Sequence, residues 1–425
     1  MAACVMDSKS FDIEKTITQL VMTDNMDEKQ KIAKQILDLA KENGIYPASI
    51  HEFYMARGRN KFEGFTVPAM NLRTMTYDLA CAIFRVAKKH SAGAFIFEIA
   101  KSEIGYTNQP PVEFAAMVLA AAIKENYSGP VFIQGDHFQV KADKFKENPD
   151  KEIQGVKNLI TDAINAGFYN IDIDSSTLVD LSKPTLTEQQ RLNYEVCAKL
   201  TQFIRNIEPK GVTISVGGEI GEIGTQNSTP EDLKAYMNGL ESQLGKDVTG
   251  ISKISIQTGT THGGVVLPDG SIAKIKLDFD TLKTLSEKAR KEYGMAGAVQ
   301  HGASTLPPEA FHKFVECETA EVHLATAFQN IIYESKQFPE DLKQKMYTWL
   351  KANLANERKE DQTEEQFIYK TRKKAFGQFK KEIMALPQQT RTTIATEVEK
   401  QFEFLFKQLN VVNTKTLVEK YCKQQ

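Results

Sequence analysis

Val131-Phe132-Ile133-Gln134-Gly135-Asp136-His137 is an apolar run that ends abruptly in an acid and an imidazole. Ser128-Gly129-Pro130 breaks the chain just before it, so Val131 to Ile133 reads as a short buried strand. A carboxylate and an imidazole where a buried strand surfaces are poor packing and good chemistry. Two other stretches end the same way: Ser252-Lys253-Ile254-Ser255-Ile256-Gln257-Thr258-Gly259-Thr260-Thr261-His262-Gly263-Gly264, and Ala298-Val299-Gln300-His301-Gly302-Ala303-Ser304. Neutral imidazole is a common zinc ligand, and three protein ligands with an open fourth position make a catalytic site. Any one of these histidines alone is more simply a polar residue at a strand end. Taken together, His137, His262 and His301 are expected to share one divalent metal. The chain has seven histidines; His51, His90 and His312 lie in helical or loop contexts and read as surface residues.

Outward from this stretch, short apolar strands alternate with longer amphipathic helices. The strands expected are Phe65–Asn71, Ala94–Ile99, Val131–Gly135, Asn170–Asp174, Val212–Val216, Lys253–Thr258, Gly297–Gln300 and Glu321–Leu324. Helices are expected over Glu113–Lys124, Gln154–Ala166, Glu188–Ile207, Pro230–Leu244 and Asp280–Tyr293. Eight strands, most followed by a helix, predict an α/β fold: a closed parallel (β/α)8 TIM barrel rather than an open doubly wound sheet. No G-x-G-x-x-G follows the first strand, which disfavours a dinucleotide fold. Ile17, Leu20, Val21 and then Ile32, Ile36, Leu37 and Leu39 recur among charges, so residues 1–62 read as an N-terminal helical extension. The barrel takes 63–334. Residues 335–425 are charged, with interleaved aromatics, and read as a C-terminal helical region whose charge runs are solvated faces, Lys370-Thr371-Arg372-Lys373-Lys374 among them.

Active sites of such barrels lie at the C-terminal ends of the strands. Polar residues gather there after nearly every expected strand: Asn71, Glu98, Asp136, His137, Asp174 with Ser175 and Ser176, Glu219, His262, His301, Ser304, His323 and Thr326. Beside a metal, Asp136 would be either a general acid/base on a substrate hydroxyl or a carboxylate that orients a ligand; spacing leaves both open. Gly259, Gly263-Gly264, Gly302, Ser304 and Thr326 offer a phosphate cradle of backbone N–H groups, or simply tight turns. Glu219 sits in the glycine-rich Val216–Gly224 segment, read as a loop able to approach the metal, with Glu222 a solvated charge.

A chain of 425 residues with a formal net charge of −2 has room for a large core and offers no general basic surface, so nucleic acid and anionic membrane are not expected partners. Its five cysteines form no CxxC pair, as expected of reduced thiols, and no run is long enough to span a bilayer. A cytoplasmic location is expected.

The motifs Val67-Pro68-Ala69-Met70-Asn71, Gly135-Asp136-His137, Ile173-Asp174-Ser175-Ser176, Glu219-Ile220-Gly221, Gly259-Thr260-Thr261-His262-Gly263, Lys276-Leu277-Asp278-Phe279 and His301-Gly302-Ala303-Ser304 stand in order along the chain. From about Phe65 to Ile332 it resembles the class II, metal-dependent fructose-bisphosphate aldolase family. The resemblance implies reversible cleavage of a ketose bisphosphate, most simply fructose 1,6-bisphosphate, to dihydroxyacetone phosphate and glyceraldehyde 3-phosphate. His137, His262 and His301 would hold Zn2+, which polarises the ketone. Asp136 would be the acid/base on the C4 hydroxyl, Glu219 an accessory carboxylate near the metal, and Asp174 a partner behind the ligands. Gly263, Ser304 and Thr326 would bind phosphate with a monovalent cation (Na+ or K+), as in many relatives, and Asn71, Gly302 and His323 would meet the sugar phosphate. The family also implies a homo-oligomer, a dimer or higher.

The chain departs from the family in three places. His323-Leu324-Ala325-Thr326 replaces the usual Asn-x-Asp-Thr or Asn-x-Gly-Thr. Ala303 stands where Gly is usual. Glu98-Ile99-Ala100-Lys101 replaces a stretch that commonly carries Gln and a phosphate-binding Ser, and Lys101 would compensate as a phosphate ligand. Phe97-Glu98, Tyr106-Thr107 and the helical C-terminal region are also similar to the Z-type, non-catalytic subunit of tagatose-bisphosphate aldolase. The alternatives are therefore a stabilising subunit of that kind, or an aldolase for another phosphorylated sugar. The complete histidine set favours an enzyme.

Overall fold

A computed structural model describes residues 11–220, 226–259 and 277–424; His262 and Gly263 lie outside them. Among the described residues nine strands run in chain order: β1 (Ile45–Pro47), β2 (Val67–Asn71), β3 (Ile96–Ala100), β4 (Gly129–Gln139), β5 (Asn170–Asp174), β6 (Ser215–Glu219), β7 (Lys253–Ile256), β8 (Ala298–Gln300) and β9 (Glu321–Leu324). β2 to β9 pair in sequence, all parallel, and β9 returns to β2 to close an eight-stranded barrel. A helix follows every barrel strand, so the fold is the expected (β/α)8 barrel. β1 was not expected. Its three residues pair with Gly129, Pro130 and Val131 at the entrance to β4.

The barrel strands have two contrasting faces. Phe97, Ile99, Ile171, Ile173, Ile254, Val322 and Leu324 are buried between strand and helix. The alternate positions Glu98, Asp172, Lys253 and Glu321 are just as buried, but they point into the lumen. β6 shows both sides. A Cβ on Gly217 would sit 2.3 Å from Asp172 Oδ1 in the lumen, and one on Gly218 would sit 2.6 Å from the hydroxyl of Tyr236 on the covering helix Pro230–Leu244. These close approaches explain why β6 lies three residues beyond the expected Val212–Val216. Gly217-Gly218 resembles a loop in sequence, yet here glycine is what lets a strand fit between a filled lumen and a tyrosine.

Helices Ile13–Met22 and Met26–Glu42 lie against the barrel's own helices, tied by a buried Lys29–Glu113 ion pair of 2.5 Å. On another side the helix Gln388–Gln408 buries Phe402, Leu405 and Phe406, with Phe402 4.7 Å from Phe328 and Phe406 5.4 Å from Phe95 between ring centroids. His51 is not a surface residue as read from sequence: it is 4% exposed, and burial with the charges of Arg205 and Arg59 pushes its pKa down to about 4. His90 is half-buried and bonded to Glu403 at 2.9 Å. No helix among the described residues is long and apolar enough to cross a membrane.

Candidate metal and substrate site

The site begins with an irregularity in β4. Its register against β5 runs Gly135↔Ile171 and then Phe138↔Ile173, so β4 carries one residue more than its neighbour. That bulge puts His137 at φ +41°, left-handed backbone that costs a non-glycine residue on the order of 1 kcal/mol. It also turns two successive side chains, Asp136 and His137, towards the mouth; a regular strand would send them to opposite faces. Gly135 makes room for it, since a Cβ there would lie 2.4 Å from the Phe138 ring.

Around Asp136 the imidazoles converge. His301 Nε2 is 3.3 Å from Asp136 Oδ1, His323 Nδ1 is 3.3 Å from the same oxygen, and His137 Nε2 is 3.9 Å away. The His301 ring centroid lies 4.2 Å from those of both His137 and His323. On its other nitrogen, His137 Nδ1 meets Asp174 Oδ2 at 3.2 Å and Glu219 Oε2 at 3.1 Å. Asp174 is itself fixed by Ser176 Oγ (2.7 Å) and Gln139 Nε2 (2.6 Å), both donating to it. A ring nitrogen anchored by a carboxylate sets the tautomer and the aim of the imidazole.

Burial dominates the electrostatics. It would raise the Asp136 carboxyl, but the positive charge of His137 and hydrogen bonds from His301 and His323 hold it well below the usual range. Burial and the charges of His137 and His323 keep His301 neutral, the form that donates a lone pair to a metal. Asp136, His137 and His301 each bring one donor atom within 4.8 Å of the others. The 3.3 Å between His301 Nε2 and Asp136 Oδ1 matches the edge of a tetrahedron built on metal–ligand bonds of about 2 Å, and the 3.9 Å to His137 Nε2 is somewhat wider. The donor set therefore fits a divalent cation.

Below this floor the lumen carries a second polar layer. Lys253 Nζ meets Asp172 Oδ1 at 2.9 Å and Glu321 Oε2 at 2.6 Å, and donates to Gln134 Oε1 at 2.6 Å. Tyr54 donates to Glu321 Oε1 at 2.5 Å. His323 links the layers: its Nε2 is 2.9 Å from Glu321 Oε2 and its Nδ1 3.1 Å from Glu98 Oε2. Above the floor opens a cavity of about 1080 Å³. Asn71, Lys101, Gly302, Ser304 and Thr326 all line it, as do Asp136, His137, His301 and His323. Ser304 Oγ accepts from the Ala325 N–H at 2.8 Å, next to Thr326, which opens the helix Thr326–Glu334. The Lys101 ammonium donates to the Gln139 carbonyl at 2.6 Å and lies 3.2 Å from Glu152 Oε1.

The sequence matches the class-II fructose-bisphosphate aldolase family over residues 58–403. The chain belongs to that family. Membership makes it an aldolase of the metal-dependent class. Among solved structures, a putative fructose-1,6-biphosphate aldolase from Coccidioides immitis is 17% identical, with a TM-score of 0.51 over 85% of this chain and 96% of that one. A probable tagatose 6 phosphate kinase from Sinorhizobium meliloti is 16% identical, with a TM-score of 0.56 over 84% and 99%. Fructose-bisphosphate aldolase from Campylobacter jejuni is 20% identical, with a TM-score of 0.50 over 86% and 94%. At such identities the likeness speaks for the fold alone. No curated protein matches the sequence.

Sequence reasoning missed part of this aldolase's cavity. Arg73, Tyr369, Lys370 and Lys373 also line it, three of them from the C-terminal region read as solvent-facing. The signal was the aromatic interleaving of that charge run: Arg372, which is buried, stacks at 4.6 Å over Tyr369 and 5.0 Å over Tyr333. Asp172, Lys253 and Glu321 were missed as well: Asp172 stands in the middle of an apolar strand, and Lys253 and Glu321 open theirs, at the end away from the mouth.

Proposed function

We propose that this aldolase reversibly cleaves a ketose bisphosphate, fructose 1,6-bisphosphate foremost, to dihydroxyacetone phosphate and glyceraldehyde 3-phosphate. One observation carries the reading: the Asp136 carboxylate stands in the barrel mouth with ring nitrogens of His137, His301 and His323 3.3–3.9 Å from one of its oxygens. His137 and His301, with His262 as third ligand, would hold a divalent metal, zinc by the character of the donors. Bound there, the metal supplies Lewis acidity at the ketose carbonyl. Asp136 accepts the proton of the C4 hydroxyl as the C3–C4 bond breaks, and in the reverse direction returns it to the new alkoxide. Glu219 and Asp174 hold His137 from behind. Ser304, Thr326 and the Gly302 turn take the phosphate next to the carbonyl, at the start of a helix whose N–H groups favour an anion. His323 stands where relatives carry Asn, at the centre of the floor, and so bears on which sugar fits.

Metal analysis combined with a panel of ketose bisphosphates tests this. The purified chain should carry about one divalent ion and lose cleavage on chelation. His301→Ala should lose both metal and turnover; full activity in that variant would overturn the assignment.

A further inference from the structure

The cavity's two sides carry opposite charge. The floor is carboxylate and imidazole, whereas the wall built by the C-terminal region brings Lys359, Lys370 and Lys373, joined by Arg73 and Lys141 from the barrel loops. Asp361 is the acidic residue this region adds to the lining. Among the described residues, none of the three C-terminal lysines has a carboxylate within ion-pairing distance, although most lysines of this chain's helices that meet one do so at the surface, as Lys374 meets Glu357 at 2.6 Å. Lys373 is the innermost. It follows the helix Glu364–Thr371, and its ammonium stands 5.8 Å from the centroid of the Tyr106 ring. Beneath it, Arg73 is held in place by Glu103 at 2.7 Å and Gln329 at 2.9 Å. Burial and the positive charge of Arg73 bring the Lys373 pKa down to about 8, Lys374 and Lys370 adding to the effect. Glu103, which pairs with Arg73 and also faces Lys373, offsets only part of the positive charge that Arg73, Lys370 and Lys373 bring together, and an incoming dianion relieves the excess.

We propose that Lys373, flanked by Arg73 and Lys370, is the subsite for a second phosphomonoester, the one at the end of the ketose remote from the metal. The subsite comes from the C-terminal helices of the same chain, so the region outside the barrel selects for a doubly phosphorylated substrate. This rests on the reading of the floor as the site of ketose cleavage.

Cleavage of fructose 1,6-bisphosphate and of fructose 1-phosphate by the full-length metal-loaded protein gives the first test. Lys373→Met should lower the preference for the bisphosphate, as the ratio of the two kcat/KM values, at least tenfold and chiefly through KM. Lys373→Arg should restore most of it. An unchanged ratio in Lys373→Met overturns the subsite. Absence of cleavage by the wild type would defeat the proposed reaction, and the subsite is then judged by calorimetric binding of sorbitol 6-phosphate, which needs no turnover. At least tenfold weaker binding in Lys373→Met, recovered in Lys373→Arg, supports it. Equal affinities, or no binding to the wild type, overturn it.

Discussion

The floor and the wall of the cavity are built in opposite ways. Floor residues stand on strand ends, where barrel register fixes each side chain against its neighbours: Asp136 lies within 3.9 Å of His137, His301 and His323, and Glu219 lies 3.1 Å from His137. Wall residues stand on short C-terminal helices and turns, and their lysines line the cavity. The floor's precision suits bond-breaking, which tolerates little displacement. The wall supplies charge, which acts over a longer range and needs less exact placement.

The largest effect expected on the floor is that of Asp136→Asn. It should lower kcat by about 10²–10⁴, the usual share of a positioned acid/base, while metal content stays that of the wild type. Loss of the metal together with activity would make Asp136 a ligand and sharpen the division of labour there.

How far this contrast could be read in advance follows the same line. The outer faces of the strands, such as Ile171 and Ile173 or Ile254 and Ile256, announce themselves by alternation, and the strand-end histidines stand out because packing has no use for them. The bulge in β4 depends on the Phe138 ring lying over Gly135 and has no local signature. β6 was displaced because glycines that fit a crowded strand resemble those of a loop. The wall was misread because a run of lysines and arginines looks the same whether it faces bulk water or a cavity. Only tertiary placement separates those two cases.

Beneath the floor, Lys253→Met should cost about 3–5 kcal/mol of stability in chemical denaturation, because it leaves the buried carboxylates of Asp172 and Glu321 without their cation. A change under 1 kcal/mol would mean that protons or a cation neutralise that layer, and the floor above would then need a new charge assignment. The smallest of the three effects belongs to Asp174→Asn. With His137 less firmly aimed, metal affinity measured by competition with a chelator should fall about 10–100-fold, with the fold intact. An unaltered affinity would assign the anchoring of His137 to Glu219 alone.

The Lys253 ammonium on β7 draws its partners from across the chain: Tyr54 through Glu321, Gln134 on β4, Asp172 on β5 and Glu321 on β9. A fragment ending after β5 would hold Glu98 and Asp172 with no lysine between them, and the complementary fragment would hold Lys253 without Asp172. The first piece cannot neutralise its own interior, and the second keeps only the Lys253–Glu321 pair, so the charge layer is complete only when the ring closes.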